Sequence, residues 1–237
     1  MQLATALVDP PPRHPSAPTL ATLSRDQLAL EHRRTLDAPR RRYGVLSRSL
    51  FTVMDLVYGK GRTLPKFKVL EVVARVPYQA WEQVGYIAIT HRYSRPPLAR
   101  RIFERVEECR SQQDNEQWHL LILEELIWSA GLRQGTIRYR LLPQVLAFAY
   151  HRISCLLYTL KPELSYGLNA DFEDHAEHEY AQFVAENPQL ESTPWRSLIA
   201  DDYGRFDSVA DLLRQISFDE RVHKEESLAR LGAARFS

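Results

Sequence analysis

Apolar residues recur at i, i+3 and i+4 in long blocks along most of the chain, and the strict alternation of a strand is scarce. This pattern predicts helices. Residues 49–57 read as a short amphipathic helix stopped by Gly59-Lys60-Gly61. Residues 66 to about 91 read as a second helix, bent at Pro77. Ser94-Arg95-Pro96-Pro97 then breaks the chain and opens a long helix to about Ser129, closed by Gly131. Residues 139–160 form the most apolar block, interrupted by His151-Arg152. Pro162 starts the next helix, which ends at Asn187-Pro188, and Asp207 caps a last one running to about Leu231. The prediction is an all-α bundle without internal repeats.

Composition narrows this picture. A chain of 237 residues, 44% hydrophobic and 26% charged, suits one globular domain and excludes wholesale disorder. Residues 1–43 carry prolines at 10, 11, 12, 15, 18 and 39 and end in Arg40-Arg41-Arg42. That stretch reads as a Pro-rich basic arm, extended or loosely attached, ahead of a helical domain at 44–237; its start has no signal-peptide pattern. Cys109 and Cys155 are too few for a disulfide framework, which suits a reducing cytoplasmic face. The net charge of +1 implies no nucleic-acid partner, and no run of eighteen apolar residues predicts a simple spanning helix.

The charge is unevenly spread. Residues 33–75 hold eleven Lys/Arg against Asp37, Asp55 and Glu71, whereas residues 171–202 hold nine Asp/Glu against Arg196. The basic stretch reads either as an attraction for anionic lipid or as a solvated face.

Two helices carry Glu-x-x-His: Glu116 with His119, and Glu220 with His223. Residues i and i+3 project from one face of a helix, so each pair can reach one metal ion. With eight His in the chain, chance supplies about 0.6 such pairs, so one would carry no weight. Two pairs with single glutamates on two further helices form the arrangement of carboxylate-bridged di-iron bundles. Those single residues are Glu71, set among Val69, Leu70, Val72 and Val73, and either Glu173 or Glu177. A buried carboxylate at Glu71 needs a partner, a metal ion or an Arg such as Arg75. Four oxygen and two nitrogen donors favour iron or manganese over zinc or copper.

The segments LEVVARVPY, DNEQWHLLILEEL, FEDHAEHEY and DERVH resemble, in order, the four iron-binding motifs of alternative oxidases, especially the plastid terminal oxidases and their cyanobacterial counterparts. The resemblance covers about residues 46–230. It implies a ferritin-like four-helix di-iron bundle with added membrane-surface helices. It also implies a monotopic, non-proton-pumping quinol oxidase that reduces dioxygen to water, with plastoquinol as the expected donor and ubiquinol as the alternative. By the same resemblance Glu71, Glu116, His119, Glu173, Glu220 and His223 hold two Fe ions, and Glu173 is chosen over Glu177. Tyr180 matches a redox-active tyrosine near the irons, and Asn115 and Asp219 match residues that orient the ligands. Lys66, Leu70, His175 and Ala176 correspond to the quinol pocket, with Lys66 standing where an arginine is usual and His175 matching the plastid branch. His175 bonded to Asp171 is the plainer reading of that residue. The arm lacks the cysteine that links plant mitochondrial dimers, and the insertion of plant plastid enzymes between the third and fourth motifs is missing. A homodimer follows from the resemblance too.

A second membrane clue is residues 139–160. Their apolar runs are too short to span, and His151-Arg152 would be costly at a bilayer centre, so the residues alone read as a buried core helix or one lying in a single leaflet, and the resemblance implies the latter. The expected location is a thylakoid or plasma membrane, on its cytoplasmic or stromal-type face. Two other readings use similar bundles: a hydroxylase of quinone precursors or lipids, and a non-enzymatic iron-binding bundle.

Overall fold

A computed structural model describes residues 21–233, 235 and 236, and among them there is no strand. The helices are α1 (Arg25–Asp37), α2 (Val45–Tyr58), α3 (Leu64–Arg92), α4 (Pro96–Ser129), α5 (Leu142–Leu160), α6 (Pro162–Glu186), the one-turn α7 (Ala200–Tyr203) and α8 (Val209–Ala229). A π-helical turn, Ile137–Leu141, precedes α5, and a 3₁₀ turn, Pro188–Glu191, follows α6.

The boundaries follow local chemistry. Prolines occupy the first turns of α3, α4, α5 and α6, where a missing N–H costs nothing. Gly131 ends α4 with φ at +63°, a conformation that glycine adopts without strain. The cap of α8 is Ser208 rather than the expected Asp207: its hydroxyl accepts the Asp211 N–H at 3.1 Å. α3 runs through Pro77 as one helix.

The described part of the arm is not extended throughout. Residues 1–20 lie outside the described residues, but α1 is a helix packed against α8 and α6, with Leu28 buried. Ser24 and Gln27 form a reciprocal capping box at its start. Arg221 of α8 then reaches back to Glu31 and Thr35.

Four helices make the bundle. α3 packs along α4, α6 along α8, and side chains fill the space between the pairs, including Phe67, Leu70, Ile122, Leu123, Phe172, Leu212 and Ile216. The two oppositely charged stretches turn out to be partners. Arg40 reaches Glu179 at 2.7 Å, Arg41 reaches Asp171 at 3.2 Å, and Arg62 reaches Glu186 at 2.7 Å. Three of the eleven basic residues are therefore paired with α6 rather than left to face lipid.

α5 is amphipathic with its faces reversed for water. It buries Ser154 and Tyr158 against α3 and α6 and turns Val145, Phe148, Ile153, Leu156 and Leu160 outward. α2 does likewise with Val45, Leu46, Val53 and Leu56, the last 84% exposed. The end of α2 meets the π-helical turn before α5, where Tyr58 packs on Tyr139. No helix among the described residues is long and apolar enough to cross a membrane.

Candidate metal centre

Six buried side chains from the four bundle helices converge between the helix pairs. α3 brings Glu71, α4 brings Glu116 and His119, α6 brings Glu173, and α8 brings Glu220 and His223; none exceeds 1% exposure. They form two sets whose donor atoms lie within 4.8 Å of one another: Glu71, Glu116, His119 and Glu220 in one, Glu116, Glu173, Glu220 and His223 in the other. Glu116 and Glu220 belong to both. Glu220 turns one oxygen to each imidazole, 3.1 Å from His119 Nδ1 and 3.8 Å from His223 Nδ1. Glu116 does the same, at 3.8 Å from His119 and 2.7 Å from His223. Two shared carboxylates, each facing both histidines, suit a pair of cations.

The fit can be judged from unsatisfied atoms. Glu71 Oε2, both oxygens of Glu116 and Glu220, Glu173 Oε2, His119 Nδ1 and both ring nitrogens of His223 are buried without a hydrogen-bond partner. Buried polar atoms are seldom left so, and here they face one another. Burial and the charges of Glu220 and Glu71 push Glu116 well above the usual carboxylate range, and burial with Glu116 and Glu220 does the same to Glu173. Burial also opposes the charge of Glu220, yet the two imidazoles facing it hold it down to about 2. So many like charges in one dry space call for cations, and oxygen donors with imidazole suit iron or manganese.

Glu177, the other candidate on α6, is spent elsewhere: Arg221 reaches it at 2.9 Å, and Lys224 and Thr35 also bond it. A third acidic group, Asp174, Glu177 and His178, is thereby neutralised by Lys224 and Arg221. Arg75 does not pair with Glu71 but donates to Gln117. Glu71 instead accepts the Tyr180 hydroxyl. Burial and the Glu71 charge hold that phenol well above its ordinary pKa, so it stays protonated.

Asp219 aims His119. Its Oδ2 lies 3.2 Å from His119 Nε2 and accepts Asn115 Nδ2 at 3.3 Å, which leaves Nδ1 toward the carboxylates. Four residues that the sequence reading missed complete this layer. Tyr203 donates to Asp219 at 2.7 Å, and Gln215 donates to its other oxygen at 2.7 Å. Tyr78 and Asn169 donate to Glu173 Oε1 at 2.7 and 3.0 Å.

Of the four residues matched to a quinol pocket, Leu70 on α3 and Ala176 on α6 are buried. His175 does not bond Asp171, which is taken by Arg41, Gly44 and Ser47. Phe51 stacks on its ring at 4.0 Å and Arg40 lies 3.3 Å from its Nδ1, so burial and this cation lower its pKa to about 4. Lys66 is 3% exposed and gives its ammonium to Asp55 at 2.6 Å and to the Gly59 carbonyl at 2.9 Å. Its first duty is to pin α2 onto α3. Lys66→Ala should cost about 1–3 kcal/mol, the range for orphaning a buried hydrogen-bonded group. In a chain of this size that lowers the thermal midpoint by roughly 2–10 °C, which a melting curve of the iron-loaded protein would read. An unchanged midpoint would remove Lys66 from the frame of the α2–α3 junction.

A family model described as alternative oxidase matches residues 24–229. The chain is also similar to ubiquinol oxidase 4, chloroplastic/chromoplastic, of Arabidopsis thaliana, with 31% identity over 150 residues, 63% of this chain and 39% of that protein. It thus spans well under half the length of that relative. The match runs from the cap of α1 to the end of α8 and takes in all four helices that line the centre, and so the chain belongs to the alternative oxidase family.

Proposed function

We propose that the protein is a membrane-surface quinol:oxygen oxidoreductase that oxidises a plastoquinol-type quinol and reduces dioxygen to water at two iron ions. Glu71, Glu116, His119, Glu173, Glu220 and His223 would hold the ions. The observation that carries this reading is the pair of interlocked donor sets sharing Glu116 and Glu220. When bound, a di-iron pair would supply the redox-active site at which the electrons of two quinols reach dioxygen.

The chain's own residues do the rest. Asp219 keeps the His119 imidazole in one tautomer and orientation, so its Nδ1 stays available. Tyr180 stands at Glu71 with its proton in place, able to give up an electron and pass that proton to the carboxylate it touches. Burial of all six ligands excludes water, which strengthens each charge contact there. A quinol head group would lie beneath α2 beside Leu70 and Ala176, with Lys66 and His175 at the polar end. Arg40 and Phe51 hold the His175 ring in place.

The test is oxygen uptake by purified, iron-loaded protein offered plastoquinol or ubiquinol analogues. Two quinols should be consumed per dioxygen, with unmodified quinone and water as products. A hydroxylated product would favour the oxygenase reading, and iron uptake without oxygen consumption would favour the storage reading.

The outward apolar faces of α2 and α5 support docking on one leaflet. Because Arg40, Arg41, Arg62, Lys66 and Lys68 are paired within the protein, the apolar contribution should dominate. Binding to zwitterionic vesicles should therefore persist at 1 M salt, where screening acts over about 3 Å. Flotation of vesicles with the protein left behind would overturn the anchoring assigned to these faces.

A further inference from the structure

The ligand cluster touches a second set of side chains that the proposed reaction leaves unused. Tyr78 bonds Glu173 and sets its ring edge-on to His223, 5.6 Å between centroids. Trp81, one turn further along α3, lies 5.2 Å from Tyr78, and beyond it Tyr166 and Tyr158 lie 4.9 and 5.6 Å from the indole. The two phenol oxygens are 3.1 Å apart. All four rings are buried. Cys155, one turn before Tyr158 on α5, packs against this cluster yet is partly exposed, with Sγ 3.9 Å from His151 Nδ1. Tyr180 offers no comparable route, because the ring stacked on it is Phe67, which lacks an oxidisable group.

We propose that Tyr78, Trp81, the Tyr158–Tyr166 pair and Cys155 form a one-electron relay that drains oxidising equivalents from the metal pair to thiols in solution when quinol is lacking. The proposal rests on the metal-centre reading above. In each passage one electron leaves the Cys155 sulfur and travels through the rings to the metal pair. The thiol proton goes to the neutral imidazole of His151, whose Nδ1 lies 3.9 Å from the sulfur. The sulfur radical then takes a hydrogen atom from a small thiol, and two such thiols couple as a disulfide. With hydrogen peroxide as the oxidant, the balance is one peroxide and two thiols giving two waters and one disulfide, and His151 returns its protons to the waters.

Arg105 explains why the relay does not short-circuit turnover. Its guanidinium, 5% exposed, lies 5.3 Å from the Trp81 ring and 5.5 Å from that of Tyr166. A cation beside an indole favours the neutral ring over a positively charged one, so taking an electron from Trp81 demands a stronger oxidant. Quinol and Tyr180 are oxidised first, and the relay carries electrons when they are spent.

The experiment uses the full iron-loaded chain in detergent. Iron is measured, a few equivalents of hydrogen peroxide are added without quinol or thiol, and oxidised side chains are located by mass spectrometry. Oxidation should concentrate at Cys155, Tyr158 and Tyr166. In Trp81→Phe, Cys155 oxidation should fall severalfold, with damage moving back to Tyr78 and His223. Identical maps for the two proteins overturn the relay, as does equal Cys155 oxidation in metal-free protein, which would mean direct attack by peroxide. Should Trp81→Phe fail to fold, Cys155→Ser serves: oxidation should accumulate on Tyr158 and Tyr166, and an unchanged tyrosine map overturns the relay. A wild-type chain holding no iron before peroxide overturns the metal-centre reading and the relay with it. Iron present with unaltered maps overturns the relay alone.

Discussion

Glu220→Ala should lower iron content from about two ions per chain to less than one and abolish quinol oxidation, because a shared carboxylate serves both positions of a di-iron bundle. Glu220, like Glu116, faces both imidazoles, and they hold its pKa down to about 2 despite burial. Its loss removes one donor from each set at once. Glu173→Ala, by contrast, removes a donor from only one set and should leave closer to one ion per chain. Helix content should survive both changes, since the residues that bury the bundle's apolar surface are untouched. Metal analysis beside circular dichroism reads the outcome. Full iron content in Glu220→Ala would sink the assignment of α8 as a ligand helix. Equal loss in the two variants would remove the distinction between shared and single ligands.

Tyr180→Phe should keep both ions and nearly all stability, yet reduce turnover by roughly 10²–10⁴-fold, the range for losing a positioned proton donor. Only one hydroxyl leaves, and the ring keeps its place against Phe67. The loss frees Glu71 Oε1 from its one hydrogen bond, so the ligand remains and its proton source does not. The discriminating measurement is steady-state oxygen uptake with iron content determined on the same sample. Normal turnover would make Tyr180 a packing residue. Lost turnover with lost iron would make it a support for Glu71 and nothing more.

How legible this was depends on how local each signal is. The Glu116–His119 and Glu220–His223 pairs lie within one helical turn, so spacing alone put them on one face. Proline at the start of α4 and α6 marked those ends for the same reason. α1 was hidden by its setting among prolines, although its Ser24–Gln27 capping box stands in the sequence. Asn169 precedes Glu173 by four residues, and Tyr78 follows Glu71 by seven, so helical spacing could have found both. Tyr203 could not be found that way, because the one-turn α7 around it carries no periodicity. The pairing of Arg40, Arg41 and Arg62 with α6 was equally out of reach, since it joins segments more than a hundred residues apart.

The docking of α1 on α8 has a consequence for how the protein is made. Leu23 donates its N–H to Gln215 across 192 residues of chain, and Glu31 meets Arg221 across 190. At translation rates of about 5–20 residues per second, α1 leaves the ribosome roughly 10–40 s before its partner exists. Until then Leu28 and the partners of Arg221 stand in solvent or against a chaperone. Gln215 also holds Asp219, so the event that docks α1 on α8 is the one that finishes the support of His119. Nascent chains should therefore acquire metal late, once α8 has emerged, and a premature stop before α8 would strand an open α1 for proteases to find.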